Sequence, residues 1–247
     1  MSKNFLYSLG LIFLFCCITY INQSYSSTDD IVYPIDSKVD GLSYKDWAIK
    51  YWQWWVTVTK NPDINSEFKY SPQLSEKCFI GDEYPVLFLV NPIIAYHLEG
   101  NKKEYECSIP SDKPIFVLGI SEMCNYGSPN ENNPDDVLKT DEELKSCVHQ
   151  RNPYAAVSLQ VDDVTLGKDD TQKYSFTTDF FNITIPQDSA NSDLGVGTHR
   201  ALLDGKFLIL KPLSIGDHII NNKVVQIIPH KESDNLFLDI TYKFDVK

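Results

Sequence analysis

Two hydrophobic periods run through this chain. Between Gly41 and Pro62 the apolar positions recur at helical spacing: Tyr44, Trp47, Tyr51, Trp54, Trp55 and Val58 share one face of a wheel, and Asp46, Lys50, Gln53 and Thr57 the other. The pattern predicts a helix of about four turns, capped by Ser43 with Asp46 three residues on, and stopped at Asn61-Pro62. A helix that gathers its bulky rings on one side buries that side, because each ring brings a large contact area. Trp52 flanks the stripe and is the ring expected to stay exposed.

From about residue 84 the period shortens to two. "PVLFLVNP", "KEYECSIP", "KPIFVLGIS", "YAAVSLQVDDVTL", "YSFTTDFFNITIP", "ALLDGKFLILKPL", "GDHIINN", "KVVQIIP" and "LFLDITYKFDV" are short runs rich in Val, Ile, Phe, Tyr and Leu, bounded by Pro, Gly, Asn and Asp. In the last run Leu236, Leu238, Ile240, Tyr242, Phe244 and Val246 alternate as a strand with one wet face should. The expectation is a mainly β protein: an antiparallel sandwich of jelly-roll or immunoglobulin-like type, with roughly eight or more strands in two layers. The tryptophan helix would cover an edge or an open end. Residues 27 to 42 read as an extended lead-in.

Two interruptions stand out. "NYGSPNENNPDDVLKTDEELKS", between Cys124 and Cys147, is acidic and turn-rich, and its Thr140 with Glu143 three residues later starts a short helix. Residues 187 to 205, "QDSANSDLGVGTHRALLDG", read as a loop long enough to carry function. Asp162-Asp163 reads as a turn between two apolar stretches.

The amino terminus changes the picture. Lys3, an apolar run from Phe5 to Ile21 and then small polar residues make residues 1–26 a secretory signal, leaving 27–247 as one domain; an uncleaved anchor helix is the alternative. Four cysteines then remain, Cys78, Cys107, Cys124 and Cys147, with none of the spacings of a zinc or redox site. An even number in an exported chain reads as two disulfides. Of three pairings, Cys78 with Cys107 and Cys124 with Cys147 is preferred, because each then closes one segment between neighbouring elements. The formal net charge of −12 disfavours nucleic acid, and a membrane is engaged only through the amino-terminal segment if it stays.

Candidate chemistry is sparse. His97, His149, His199, His218 and His230 show no metal-ligand spacing, and Cys147-Val148-His149 lacks the methionine of a blue-copper site. No cofactor is implied, although oxygen ligands at 188–193 or 131–143 would suit calcium. No GxSxG stretch is present, while Asp162-Asp163, Asp169-Asp170 and Glu104 with Glu106 supply carboxylates that a glycoside hydrolase would need. Trp52, His199 and Arg200 are the candidate ligand-binding residues, and Asn182-Ile183-Thr184 is a glycosylation acceptor if it faces solvent.

"GLSYKDWAIKYWQWW", "ECSIP" leading to "KPIFVLGISEMC", and "LLDGKFLILKPLSIGDHII" with "LFLDITYKFDV" resemble a group of exported bacterial and archaeal proteins. That group has a Gly-x-Ser-x-x-x-Trp opening to a Trp-rich helix, a Cys-x-[Ile/Val]-Pro and a closing PLxxGxHxI strand pair. The likeness covers most of residues 41–246 and implies export, disulfides and a β-rich fold, with no activity to carry over. "PLSIGDHII" also resembles the penultimate turn and strand of immunoglobulin-like modules, in which the histidine is structural; His218 is expected to be so. The leading expectation is an exported cell-surface or extracellular binding or structural module, its partner a cell-envelope protein or a glycan. A secreted carbohydrate-active hydrolase using a carboxylate pair and a metal-binding envelope protein are the alternatives.

Overall fold

A computed structural model describes residues 27–60, 78–80, 84–90, 102–130, 133–150, 152–229 and 235–247. Residues 1–26, read as a secretory signal, the expected stop at Asn61-Pro62, His97 and His230 lie outside the described residues.

The lead-in is only partly extended. A turn of helix, α1 (Thr28–Ile31), precedes a two-stranded ribbon of β1 (Lys38–Val39) and β2 (Leu42–Ser43), closed by Asp40 and Gly41 at positive φ. The ribbon leads straight into α2 (Tyr44–Trp55). Its capping box forms as read: the Asp46 amide donates to Ser43 Oγ, and the Ser43 hydroxyl and amide lie 2.6 and 2.9 Å from Asp46 Oδ2, bonds that hold the Asp46 carboxyl below its usual range, the hydroxyl first. The helix is a turn shorter than expected. Val56, Thr57 and Val58 form a β-branched run that favours leaving the helix, and the Thr57 and Val58 amides tighten onto the carbonyls of Trp54 and Trp55.

Two large sheets build the sandwich. One has the order β10 (Val164–Leu166), β9 (Ala155–Val161), β14 (Gly216–Gln226), β15 (Leu236–Val246), β5 (Lys102–Ile109). The other runs β11 (Ser175–Thr177), β13 (Gly197–Leu210), β6 (Ile115–Asn125), β4 (Leu87–Leu89), β3 (Phe79–Ile80), with β12 (Phe181–Ile185) also on β13. A small ribbon pairs β7 (Pro129–Asn130) with β8 (Asn133–Val137). Most pairs are antiparallel as expected, but β15 with β5 and β4 with β6 are parallel, so the sheets are mixed. Residues 216–226, read as two runs, form one strand; Asn221 Nδ2 donates to Asp239 Oδ1 and buried Asn222 Nδ2 to the Leu118 carbonyl, so both asparagines are held within the sheets.

The two sheets differ in what covers them. In β9, β14 and β15 buried and accessible positions alternate, so the five-stranded sheet keeps one wet face. In β13 every residue from Ala201 to Leu210 is buried, and β6 is buried almost throughout, so the centre of the six-stranded sheet is covered on both faces. One cover is the five-stranded sheet: a Cβ on Gly119 would stand 2.9 Å from Val157, and buried Lys206 donates to the Ala155 carbonyl. The other is α2. Tyr51 stacks on Phe116 with centroids 5.6 Å apart, Trp47 meets Phe88 edge-on, and Trp52 Nε1 donates to Ser121 Oγ. The helix thus lies on a sheet face, not at an edge or open end, because its aromatic stripe is wide enough to bury a whole sheet surface.

Both disulfides join the preferred partners, Cys78 with Cys107 and Cys124 with Cys147, with Cα atoms 6.2 and 6.3 Å apart. Paired cysteines imply an oxidising environment. The second bridge ties α3 (Asp141–Val148), the short helix expected after Thr140, over the upper part of β6 and β13, where Leu138, Leu144, Val148 and Leu202 form a satellite core. Another short helix, α4 (Lys168–Gln172), follows β10. Among the described residues no helix is long and apolar enough to cross a membrane.

Candidate functional site

The second expected loop is shorter than 187–205. It ends at Gly197, where β13 begins, and Gly205 stands in mid-strand; a Cβ there would lie 2.5 Å from the Ile120 carbonyl, so glycine serves close packing, not a turn. What remains is fastened down. Asn191 Nδ2 donates to the Trp55 carbonyl and the Ala190 amide to that of Val58, docking the loop on the end of α2. His199 and Arg200, neighbours in β13, leave the strand on opposite sides. His199 Nε2 meets the Val196 carbonyl at 3.1 Å, while Arg200 makes a two-pronged pair with Asp141, 2.8 Å from Nε to Oδ1 and 3.0 Å from Nη2 to Oδ2. The two do not converge on one site.

Arg200 belongs to a tie between α3 and the sheet. Its guanidinium stacks 4.2 Å from the Phe180 centroid, and the Tyr126 hydroxyl also donates to Asp141. The Arg200 bonds, and then that of Tyr126, hold the Asp141 carboxyl down at about 2, from an ordinary 3.8. A carboxyl lowered in the folded state stabilises above its unfolded value and ceases to as acid protonates it. Wild type should therefore be more stable than Asp141→Asn above pH 4, with the gap closing as pH falls toward about 2. Urea midpoints measured at stepped pH check this; a gap that does not depend on pH would count against it.

Three polar groups have the composition of a catalytic triad without its wiring. His218 Nδ1 lies 2.7 Å from Asp162 Oδ2, and Nε2 lies 3.2 Å from Ser214 Oγ. Nε2 also meets the Ser214 carbonyl at 2.9 Å, so the nitrogen that would serve as base is engaged by backbone. Asp162, at positive φ in the two-residue turn between β9 and β10, accepts the Ile219 amide as well. The arrangement staples the 212–218 segment to that turn, the structural role expected of His218. His149, 3.6 Å from Asp204, meets Thr177, whose hydroxyl donates to Asp204. Among the described residues no three His, Cys, Asp or Glu side chains are grouped to hold a metal.

Trp52 is half-buried, not exposed as expected, and its indole N–H is engaged by Ser121. Asn182 is exposed on β12.

The surface left open is the wet face of the five-stranded sheet, and it is graded from end to end. At one end Val225 opposes Phe237 across β14 and β15, flanked by Tyr154 and Ile227; all four are exposed, Phe237 by 45% and Ile227 by 55%. At the other, Glu106, Ser108, Asp217, Ile219, Lys243 and Asp245 line an open groove of about 570 Å³. Lys243 pairs with Glu104 and Glu106, the Glu104 bond chiefly raising its pKa, and Lys247 lies 3.0 Å from Asp245. Asp217 stands directly opposite Asp245 and makes no ion pair among the described residues. Like charges opposed across strands destabilise a sheet.

Sequence reasoning missed this face. The signal was present: once Leu236, Leu238 and Ile240 are assigned inward, Phe237 is an outward aromatic, and Val225 and Ile227 fall outward by the same alternation.

No protein-family model matches the chain. No curated protein matches it either. Among solved structures it is similar to the crystal structure of a cysteine protease inhibitor from Entamoeba histolytica, at 12% identity and a TM-score of 0.21, over 60% of this chain and 95% of that one. It is also similar to the solution structure of amebosin, at 9% identity and a TM-score of 0.16, over 60% of this chain and 99% of that one. At these TM-scores neither likeness bears on fold or function.

Proposed function

We propose that this is an exported, non-catalytic binding module that engages a protein partner through the outer face of its five-stranded sheet. The observation that carries the reading is the grading of that face, exposed apolar side chains at one end and an acidic groove at the other. Glu104, Glu106, Asp217 and Asp245 set four carboxylates against Lys243 and Lys247, leaving an excess negative charge that a lysine or arginine would neutralise. From Val225 to Asp217 is eight residues along β14, or about 27 Å at strand rise. A partner segment with apolar anchors and a cationic residue that distance away fits both ends. The charge supplies selectivity and the apolar end the hold.

The test is surface plasmon resonance of the secreted chain against a peptide carrying apolar anchors and arginines, and against its glutamate counterpart. The arginine peptide should bind, more weakly at high salt. Asp217→Asn with Asp245→Asn, and separately Phe237→Ser, should each weaken it about tenfold, or about 1.4 kcal/mol. Equal binding of both peptides, or indifference to these substitutions, would sink the proposal. An oligosaccharide response abolished by Trp52→Ala would favour the glycan-binding alternative.

A further inference from the structure

We propose that Asn182 carries an N-linked glycan that covers the outer edge of β12 in the six-stranded sheet. The proposal requires export but is independent of the sheet-face reading.

Among the described residues strand β12 pairs only with β13, and none pairs with its other edge. Ile183 and Ile185 turn inward and are buried, while Asn182 and Thr184 turn outward and are exposed. The acceptor triplet Asn182-Ile183-Thr184 therefore presents both its amide and its hydroxyl residue to solvent on the same side of the strand. A triplet shifted by one residue would have buried them.

The local structure gives no other reason for the asparagine. Asn is disfavoured in strands, where β-branched and aromatic residues are preferred. Its register partner is Arg200, a natural donor to an amide oxygen, but that guanidinium is turned to Asp141 and Phe180. Among the described residues the Asn182 side chain makes no hydrogen bond. Thr184 is anchored, its hydroxyl 2.8 Å from that of Thr198. Such an edge, with two buried isoleucines behind it, is also a template for pairing with another chain, a hazard that natural sheets blunt with charge, proline or a cover. Residues 181–185 contain neither charge nor proline. A glycan rooted at Asn182 would supply the cover.

The reaction needs a lipid-phosphate-linked oligosaccharide and its transferase, both supplied by the exporting compartment. The Asn182 amide nitrogen attacks C1 of the first sugar; the N–C1 bond forms, the C1–O bond to phosphate breaks, the lipid phosphate leaves and the amide gives up one proton.

The experiment is translation of the full chain in the presence of microsomes that contain an N-linked transferase, with a known acceptor protein as control. The protease-protected product is digested and mapped by mass, before and after treatment with an amidase that cleaves N-glycans and leaves an aspartate mass at the attachment point. A glycan on the peptide containing residue 182 is the expected result, distinguished by mapping from Asn22-Gln23-Ser24, the other acceptor triplet in the chain. Asn182→Gln and Thr184→Val should abolish it, and Thr184→Ser should retain it. A protected chain without the modification overturns the site. A chain left outside the vesicles overturns the export on which the site depends.

Discussion

Trp47→Ala is expected to cost about 5 kcal/mol, a third or more of the roughly 5–15 kcal/mol that domains of this kind have in hand. The ring is 1% exposed and packs edge-on against Phe88 at 6.0 Å, while its Nε1–H donates to the Val39 carbonyl at 2.9 Å. Removing a buried tryptophan side chain costs about 3–5 kcal/mol in transfer and cavity terms. The Val39 carbonyl, left in a buried position without that donor, adds about 1–3 kcal/mol. Trp47→Phe should restore most of the packing but not the hydrogen bond, and so fall between. Trp52→Ala, at a half-buried ring, should cost about 2 kcal/mol. Urea unfolding followed by circular dichroism orders the three. If the tryptophan helix were a ligand platform and not core, Trp47→Ala would leave the midpoint nearly unchanged, and that result would refute the packing derived for α2.

What could be read from the residues follows the range of the interactions involved. The capping boxes at Ser43 and Thr140, the Asp162-Asp163 turn and the alternation of β15 depend on neighbours a few positions apart, and each appears where the pattern puts it. The preferred disulfide pairing followed because each bridge closes a short segment. Gly205 misled because glycine marks both turns and close approaches, and the clash that requires it comes from β6, some eighty residues earlier in the chain. The parallel pairs β15 with β5 and β4 with β6 were hidden for a similar reason, since a local run shows that a strand exists but not its neighbour. The continuous apolar runs of β6 and β13 did hold the information that both their faces are covered. Combined with a wide aromatic stripe on α2, they would have placed that helix on the sheet face. The candidate binding face is the complement of these covers: the one large surface of the five-stranded sheet over which none of the helices α1 to α4 is described.

Loss of the Cys124–Cys147 bridge is the second large effect. The cross-link spans 23 residues, for which chain entropy gives about 3.4 kcal/mol, and for a chain of this size that corresponds to a fall of about 10 °C in Tm. Cys124→Ser with Cys147→Ser should reproduce it in differential scanning calorimetry. The loss should be concentrated in one region, because the bridge, the Arg200–Asp141 pair and the Leu138, Leu144, Val148 and Leu202 cluster all fasten the same segment to β6 and β13. Hydrogen exchange should then quicken through 138–148 before it does in α2 or β14. The pair and the bridge should also fail to add: with α3 released, Asp141 loses its fixed position beside Arg200, so Asp141→Asn should cost less in the Cys124→Ser, Cys147→Ser variant than in the wild type. Additive losses would mean that α3 stays docked without its cross-link, held by the leucine cluster alone, and the disulfide would then act only on the unfolded chain.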